Sequence, residues 1–122
     1  MKESGERDHG LELLLELDGE SFELERGFWV KFEVRQVPRR REIPHGIRYS
    51  LTFHDRTNRR VLGYDNVHAV LDRHRKRKTS TRDHRHFGQL VEIYQYTTAG
   101  KLLEDFYIDV NRILNKERDQ GI

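Results

Sequence analysis

The sequence predicts an α+β fold: a single antiparallel β-sheet of about five strands, covered on one face by a C-terminal α-helix. Three observations lead there. Residues 28–35 and 47–54 alternate between apolar and polar side chains, the period of a strand with one buried face. Most links between strand-like segments are short and rich in Asp, Asn, Gly and Thr, which suits antiparallel hairpins. The last quarter carries an apolar stripe at helical spacing. With 34% hydrophobic against 36% charged residues, the chain can fill only a thin core, one sheet against one helix. We expect one domain at residues 11–118, preceded by a flexible segment (1–10) and followed by a short tail (119–122).

Taken in order, residues 1–10 are polar and expected to fray. Leu11, Leu13, Leu15 and Leu17 alternate with Glu12 and Glu16, favouring a strand over a short amphipathic helix, although Leu14 breaks the pattern. Asp18-Gly19 is a turn signal, Phe22 and Leu24 alternate with Ser21, Glu23 and Glu25, and Arg26-Gly27 turns the chain again. Phe28, Val30, Phe32 and Val34 then point one way and Trp29, Lys31, Glu33 and Arg35 the other, until Pro38 ends the strand. A basic loop at 39–44 leads to a second clean strand, with Ile47, Tyr49, Leu51 and Phe53 inward. Residues 55–59 form a turn and 60–65 the returning strand. Residues 67–87 read as one long, mainly charged connection, of a length that is usually functional or disordered. Residues 90–96 form the last strand. Thr97 or Thr98 caps a helix whose stripe of Ala99, Leu102, Leu103, Phe106, Val110, Ile113 and Leu114 ends near Glu117.

The formal net charge of +2 hides segregation: basic residues cluster at 39–41, 56–60 and 73–82, while acids concentrate near both ends. That pattern favours an anionic partner. The absence of cysteine excludes disulfides, thiolate catalysis and Cys-ligated zinc. No apolar run approaches the roughly 20 residues of a membrane span, and the N-terminus lacks the apolar core of a signal peptide, so a soluble cytoplasmic protein is expected.

The tetrapeptide Asp83-His84-Arg85-His86 carries the strongest chemical signal. Imidazole titrates nearest neutrality, and residues i and i+2 of an extended chain point to one side, about 7 Å apart. His84 and His86 are therefore candidates for a general acid and base acting on a ribose 2′-OH and a leaving 5′-oxygen, with no metal or other cofactor required. Asp83 or Asp65 would orient an imidazole, and Arg85 and Arg82 would stabilise the phosphorane. Alternatively, both rings bind a metal with Asp83 or Asp65, or they merely face solvent. Tyr64, at a strand end, either stacks a base or contacts phosphate, or fills the core edge while Asp65 and Asn66 make the turn. His45 is either a base or ligand, or a turn residue before Gly46. Arg73, Arg75, Lys76, Arg77, Lys78 and Arg82 would neutralise phosphates, dock an acidic protein, or remain a solvated loop.

Four blocks in order resemble the TumE-like toxin family: His45-Gly46-Ile47-Arg48-Tyr49-Ser50-Leu51, Val61-Leu62-Gly63-Tyr64-Asp65-Asn66, Asp83-His84-Arg85-His86 and Leu102-Leu103-Glu104-Asp105-Phe106. The resemblance spans residues 28–114. It implies the growth-inhibiting component of a prokaryotic toxin–antitoxin pair, encoded beside a helix-turn-helix antitoxin, with nucleic-acid cleavage as its activity. It also implies shared polar positions at His45, Tyr64, Asp65, Asn66, Asp83, His84 and His86. The chain departs from the family in its long basic insertion between Asn66 and Asp83, and in Arg82 where an aromatic often stands. Together these readings lead to a toxin acting as a metal-independent ribonuclease, with RNA and an antitoxin as partners and no membrane. A metal-dependent nuclease or hydrolase, and a non-enzymatic binding module, are the alternatives. An unpaired edge strand would suit homodimerisation.

Overall fold

The computed structural model describes residues 8–66, 71–72, 77–78 and 83–120. The elements are α1 (Leu11–Glu16), β1 (Ser21–Glu23), β2 (Trp29–Gln36), β3 (Ile47–His54), β4 (Arg60–Asp65), β5 (Leu71–Asp72), β6 (Arg77–Lys78), β7 (His84–Phe87), β8 (Leu90–Ile93) and α2 (Ala99–Gln120). Six strands form one antiparallel sheet in the order β1-β2-β3-β4-β7-β8, and β5 pairs with β6 as a separate ribbon. The α+β class, the antiparallel sheet and the covering C-terminal helix are as expected.

Alternation decides which face is which. Val30, Phe32 and Val34 of β2, Tyr49, Leu51 and Phe53 of β3, and Leu62 and Tyr64 of β4 are all buried. They meet Leu102, Phe106, Val110 and Leu114 of α2 in one core, with Phe106 edge-on to both Phe32 and Tyr64. Each such side chain contributes about 1.5–3 kcal/mol by leaving water. Thr98 caps α2, its hydroxyl accepting from the Lys101 N–H at 3.1 Å. Asp8, inside the segment expected to fray, also accepts from the Ala99 N–H.

Four expectations are corrected. Residues 11–17 contain a helix rather than a strand, because Leu14, the residue outside the alternation, is the fully buried one, while Leu13 stands 56% exposed. Leu11, Leu14 and Leu15 form the inward stripe instead. Gly10, at φ +84°, lets α1 start against α2, since a Cβ there would lie 2.7 Å from the Gly100 backbone. The connection at 67–87 is not one loop: its last four residues are β7, an inner strand between β4 and β8. The final strand closes at Ile93, after a tight Gly88-Gln89 turn from β7. Finally, α2 runs three residues past Glu117, where Arg118 forms a bidentate pair with Glu25 at 2.7 and 2.8 Å.

Candidate active site on the open sheet face

Both helices pack on one side of the sheet, so the polar half of each strand faces away from them. In β7 these outward residues are His84 and His86, opposite Asp65 and Gly63 of β4. The next strand brings Ser50 opposite Asp65 and Thr52 opposite Gly63. The two imidazole centroids lie 6.3 Å apart, and His86 Nε2 lies 3.1 Å from Asp65 Oδ2. Gly63 leaves a bare patch of backbone between Thr52 and His86. The Arg60 guanidinium lies over it, 3.4 Å from where a Cβ would stand. Two imidazoles, a carboxylate behind one of them and a guanidinium beside it thus share one surface.

Electrostatics favour a neutral His86. Partial burial lowers its pKa below the ordinary imidazole value; Asp65 opposes this, while Arg60 and His84 reinforce it. A neutral ring with Asp65 at Nε2 favours the proton on that nitrogen and leaves the Nδ1 lone pair for a substrate hydroxyl.

The other half of β7 serves the core. Arg85 points to the helix side, where Glu92 accepts from it at 2.7 and 3.0 Å and Asp109 at 3.4 Å, and its guanidinium lies 5.1 Å from the Phe87 ring. These contacts tie the Arg85 side chain to the helix side of the sheet, away from the histidines. Tyr64 is fully buried: its hydroxyl donates to the Asp109 carboxylate and also lies 3.2 Å from the Asp105 carbonyl. Burial and that carboxylate hold its phenol protonated well above the ordinary range. So placed, Tyr64 cannot stack a base. Asp83 also faces the helix side, accepting from the Tyr49 hydroxyl at 2.6 Å and lying 3.1 Å from His45 Nε2. It lies against His45, not His84 or His86, and among the described residues Asp65 is the carboxylate in contact with His86.

His45 stacks on Tyr96 at 4.0 Å and lines a cleft of about 610 Å³ with Asp8, His9 and Arg39. Neither His84 nor His86 enters this cleft. Asn66 is a clamp: its amide oxygen accepts from the Tyr49 N–H at 2.9 Å and its amide nitrogen donates to the Ile47 carbonyl at 2.7 Å. Arg73, Arg75, Lys76 and Arg82 lie outside the described residues, and Arg77 and Lys78 are placed only as backbone in β6.

The sequence reading missed Asp109, Arg60 and Gly63. The signals existed: an acid on the apolar stripe of α2, and a glycine inside a strand, which often marks close approach. Among the described residues no three His, Asp or Glu side chains gather as an ion would require, and no helix is long and apolar enough to cross a membrane.

The family model of Toxin TumE matches residues 15–114, which include every strand and most of α2. The chain belongs to the TumE toxin family. No curated protein and no solved structure matches it. As a TumE-family toxin it has a cognate antitoxin as partner. Both the clamp residue Asn66 and the open-face trio Asp65, His84 and His86 fall inside the matched span.

Proposed function

We propose that this TumE-family toxin cleaves RNA by metal-independent transphosphorylation on the open face of its sheet. The supporting observation is the contact of His86 with Asp65, with the His84 ring 6.3 Å away. His86 Nδ1 takes the proton of a ribose 2′-OH, the 2′-oxygen attacks the adjacent phosphorus, and the P–O5′ bond breaks as His84 protonates the departing 5′-oxygen. A 2′,3′-cyclic phosphate and a 5′-hydroxyl result. Arg60, over the bare backbone of Gly63, meets the charge that grows on the phosphorane. A base and an acid each within about 3 Å of opposite oxygens on one phosphorus need rings separated by several ångströms, which the pair provides.

The test is cleavage of single-stranded RNA by purified toxin in excess chelator. Activity should persist, fall by at least 10²-fold in His84→Ala and in His86→Ala, and vanish on a substrate whose cleavage-site ribose is 2′-deoxy. Undiminished cleavage by both variants would refute the assignment. Under this proposal the toxin works in the cytoplasm and is held in check by a helix-turn-helix antitoxin encoded beside it. A second reading, a non-catalytic nucleic-acid-binding module, is favoured by the exposed cations Lys31, Arg35, Arg48 and Arg60 on the same face. Salt-dependent RNA binding without turnover, equal in both histidine variants, would select it.

A further inference from the structure

The two edges of the sheet differ. At one edge, β1 is three residues long and bears the exposed acid Glu23, with Glu20 just before it, a common protection against strand addition. At the other, β8 exposes Leu90 (64%), Val91 (50%) and Ile93 (60%), and contains no lysine or proline. Its one charge, Glu92, is engaged by Arg85. Among the described residues nothing pairs with its outer side. An apolar, unprotected edge of this kind marks a surface that a partner covers.

Backbone directions can be assigned. The Tyr94 N–H donates to the Asp83 carbonyl at 2.8 Å, so in the β7–β8 register Arg85 with Glu92 and Phe87 with Leu90 are the hydrogen-bonded pairs. Val91 and Ile93, opposite His86 and His84, are the non-bonded ones. Their N–H and C=O groups therefore point out of the sheet, and their side chains stand on the open face beside the two imidazoles. A strand added there lies about 4.8 Å beyond β8 and brings its own side chains within roughly 10 Å of the histidines.

We propose that this edge receives an extended segment of the cognate antitoxin, apolar at alternate positions and acidic around them, as a seventh strand. Charge selects this occupant over a second copy of the chain. Two copies joined antiparallel through β8 would turn the same face outward, setting their exposed Arg35, Arg48 and Arg60 on one continuous surface, where Lys31 is already paired with Glu33. An acidic segment instead complements that face and closes the approach to the histidines. The inhibitory consequence rests on the function proposed above; the docking itself does not.

The experiment is amide hydrogen exchange on the full chain, free and with its purified antitoxin, together with affinities for wild type, Val91→Pro and, as an exposed apolar control on α1, Leu13→Glu. In the free toxin the Leu90 and Glu92 amides should be protected, and those of Val91 and Ile93 should exchange rapidly. The antitoxin should protect the latter two. Val91→Pro removes an outward donor without touching the β7 ladder, so it should weaken binding at least tenfold while Leu13→Glu leaves it unchanged. Unaltered exchange at Val91 and Ile93 in the complex would overturn the proposal, with no variant needed. A toxin dimer that Val91→Pro dissolves while antitoxin affinity is unchanged would assign the edge to a second copy, equally against it. These readouts need no RNA cleavage, so a toxin that binds in this way but does not cut RNA would defeat only the catalytic reading.

Discussion

Replacing Asp109 by alanine tests whether the core side of β7 holds the histidine strand in place. The carboxylate is 3% exposed, accepts from the Tyr64 hydroxyl and faces Arg85 at 3.4 Å. Its removal leaves the buried phenol only the longer contact to the Asp105 carbonyl, at 3.2 Å, so the cost lies in the lower part of the range for an unsatisfied group, about 1–2 kcal/mol. Arg85 loses its buried partner but keeps Glu92, and its side chain is 30% exposed, so the full 3–5 kcal/mol of a broken buried pair does not apply and about 1 kcal/mol more is appropriate. The sum is about 2–3 kcal/mol, enough to lower Tm by roughly 10 °C in a domain of this size. Asp109→Asn, which still offers Tyr64 an acceptor, should lose about half as much. Urea unfolding followed by circular dichroism gives both values, with an unchanged m required for the comparison. If Asp109→Ala costs less than about 0.5 kcal/mol, Arg85 and Tyr64 are not anchored as described, and Asp109 does not hold β7 in place.

Two further predictions concern the open face. His86 should titrate below the ordinary imidazole value of about 6.5 in nitrogen-15 NMR, and Asp65→Asn should lower it further, because the main influence raising it is gone. Since the proposed base is the neutral ring, cleavage should survive as pH drops below about 6.5 and fail only as pH passes through the lowered folded-state value. The unfolded chain binds that proton first, so this residue's contribution to stability also declines as pH falls through the same window. An upward shift in Asp65→Asn would contradict the contact geometry. Gly63→Val should displace the Arg60 guanidinium and cut RNA cleavage or binding at least tenfold with little loss of stability, since β-branched residues suit strands; wild-type activity in that variant would remove Arg60 from the site.

The strands with one apolar face were legible because burial enforces their period: β2 and β3 fall where the alternation of Val30, Phe32, Tyr49 and Leu51 places them, and β4 follows as the returning partner of β3. So was α2, whose stripe has only one alignment with the sheet. The failures share a cause. In α1 the leucines satisfy both periods, and only the depth of Leu14 separates helix from strand. In β7 the alternation is present but written in polar residues, because the inward position is Arg85, made tolerable by Glu92 across the β7–β8 hairpin and by Asp109, which is distant in sequence. A local window contains Glu92 but not Asp109, the buried partner. The candidate site was half visible for the same reason: the spacing of His84 and His86 foretold a shared side, at 6.3 Å against an expected 7 Å. Which carboxylate accompanies them depended on strand order, which put Asp65 beside His86 and sent Asp83 to His45.

The division of labour along β7 has a practical consequence. Odd positions Asp83, Arg85 and Phe87 look into the molecule and even positions His84 and His86 look out of it, so tolerance to replacement should alternate residue by residue. A chain disarmed at both imidazoles keeps every interior tie of the strand. On the function proposed above, it should be producible in quantity without poisoning its host, and can be handed, correctly shaped, to whatever normally restrains it.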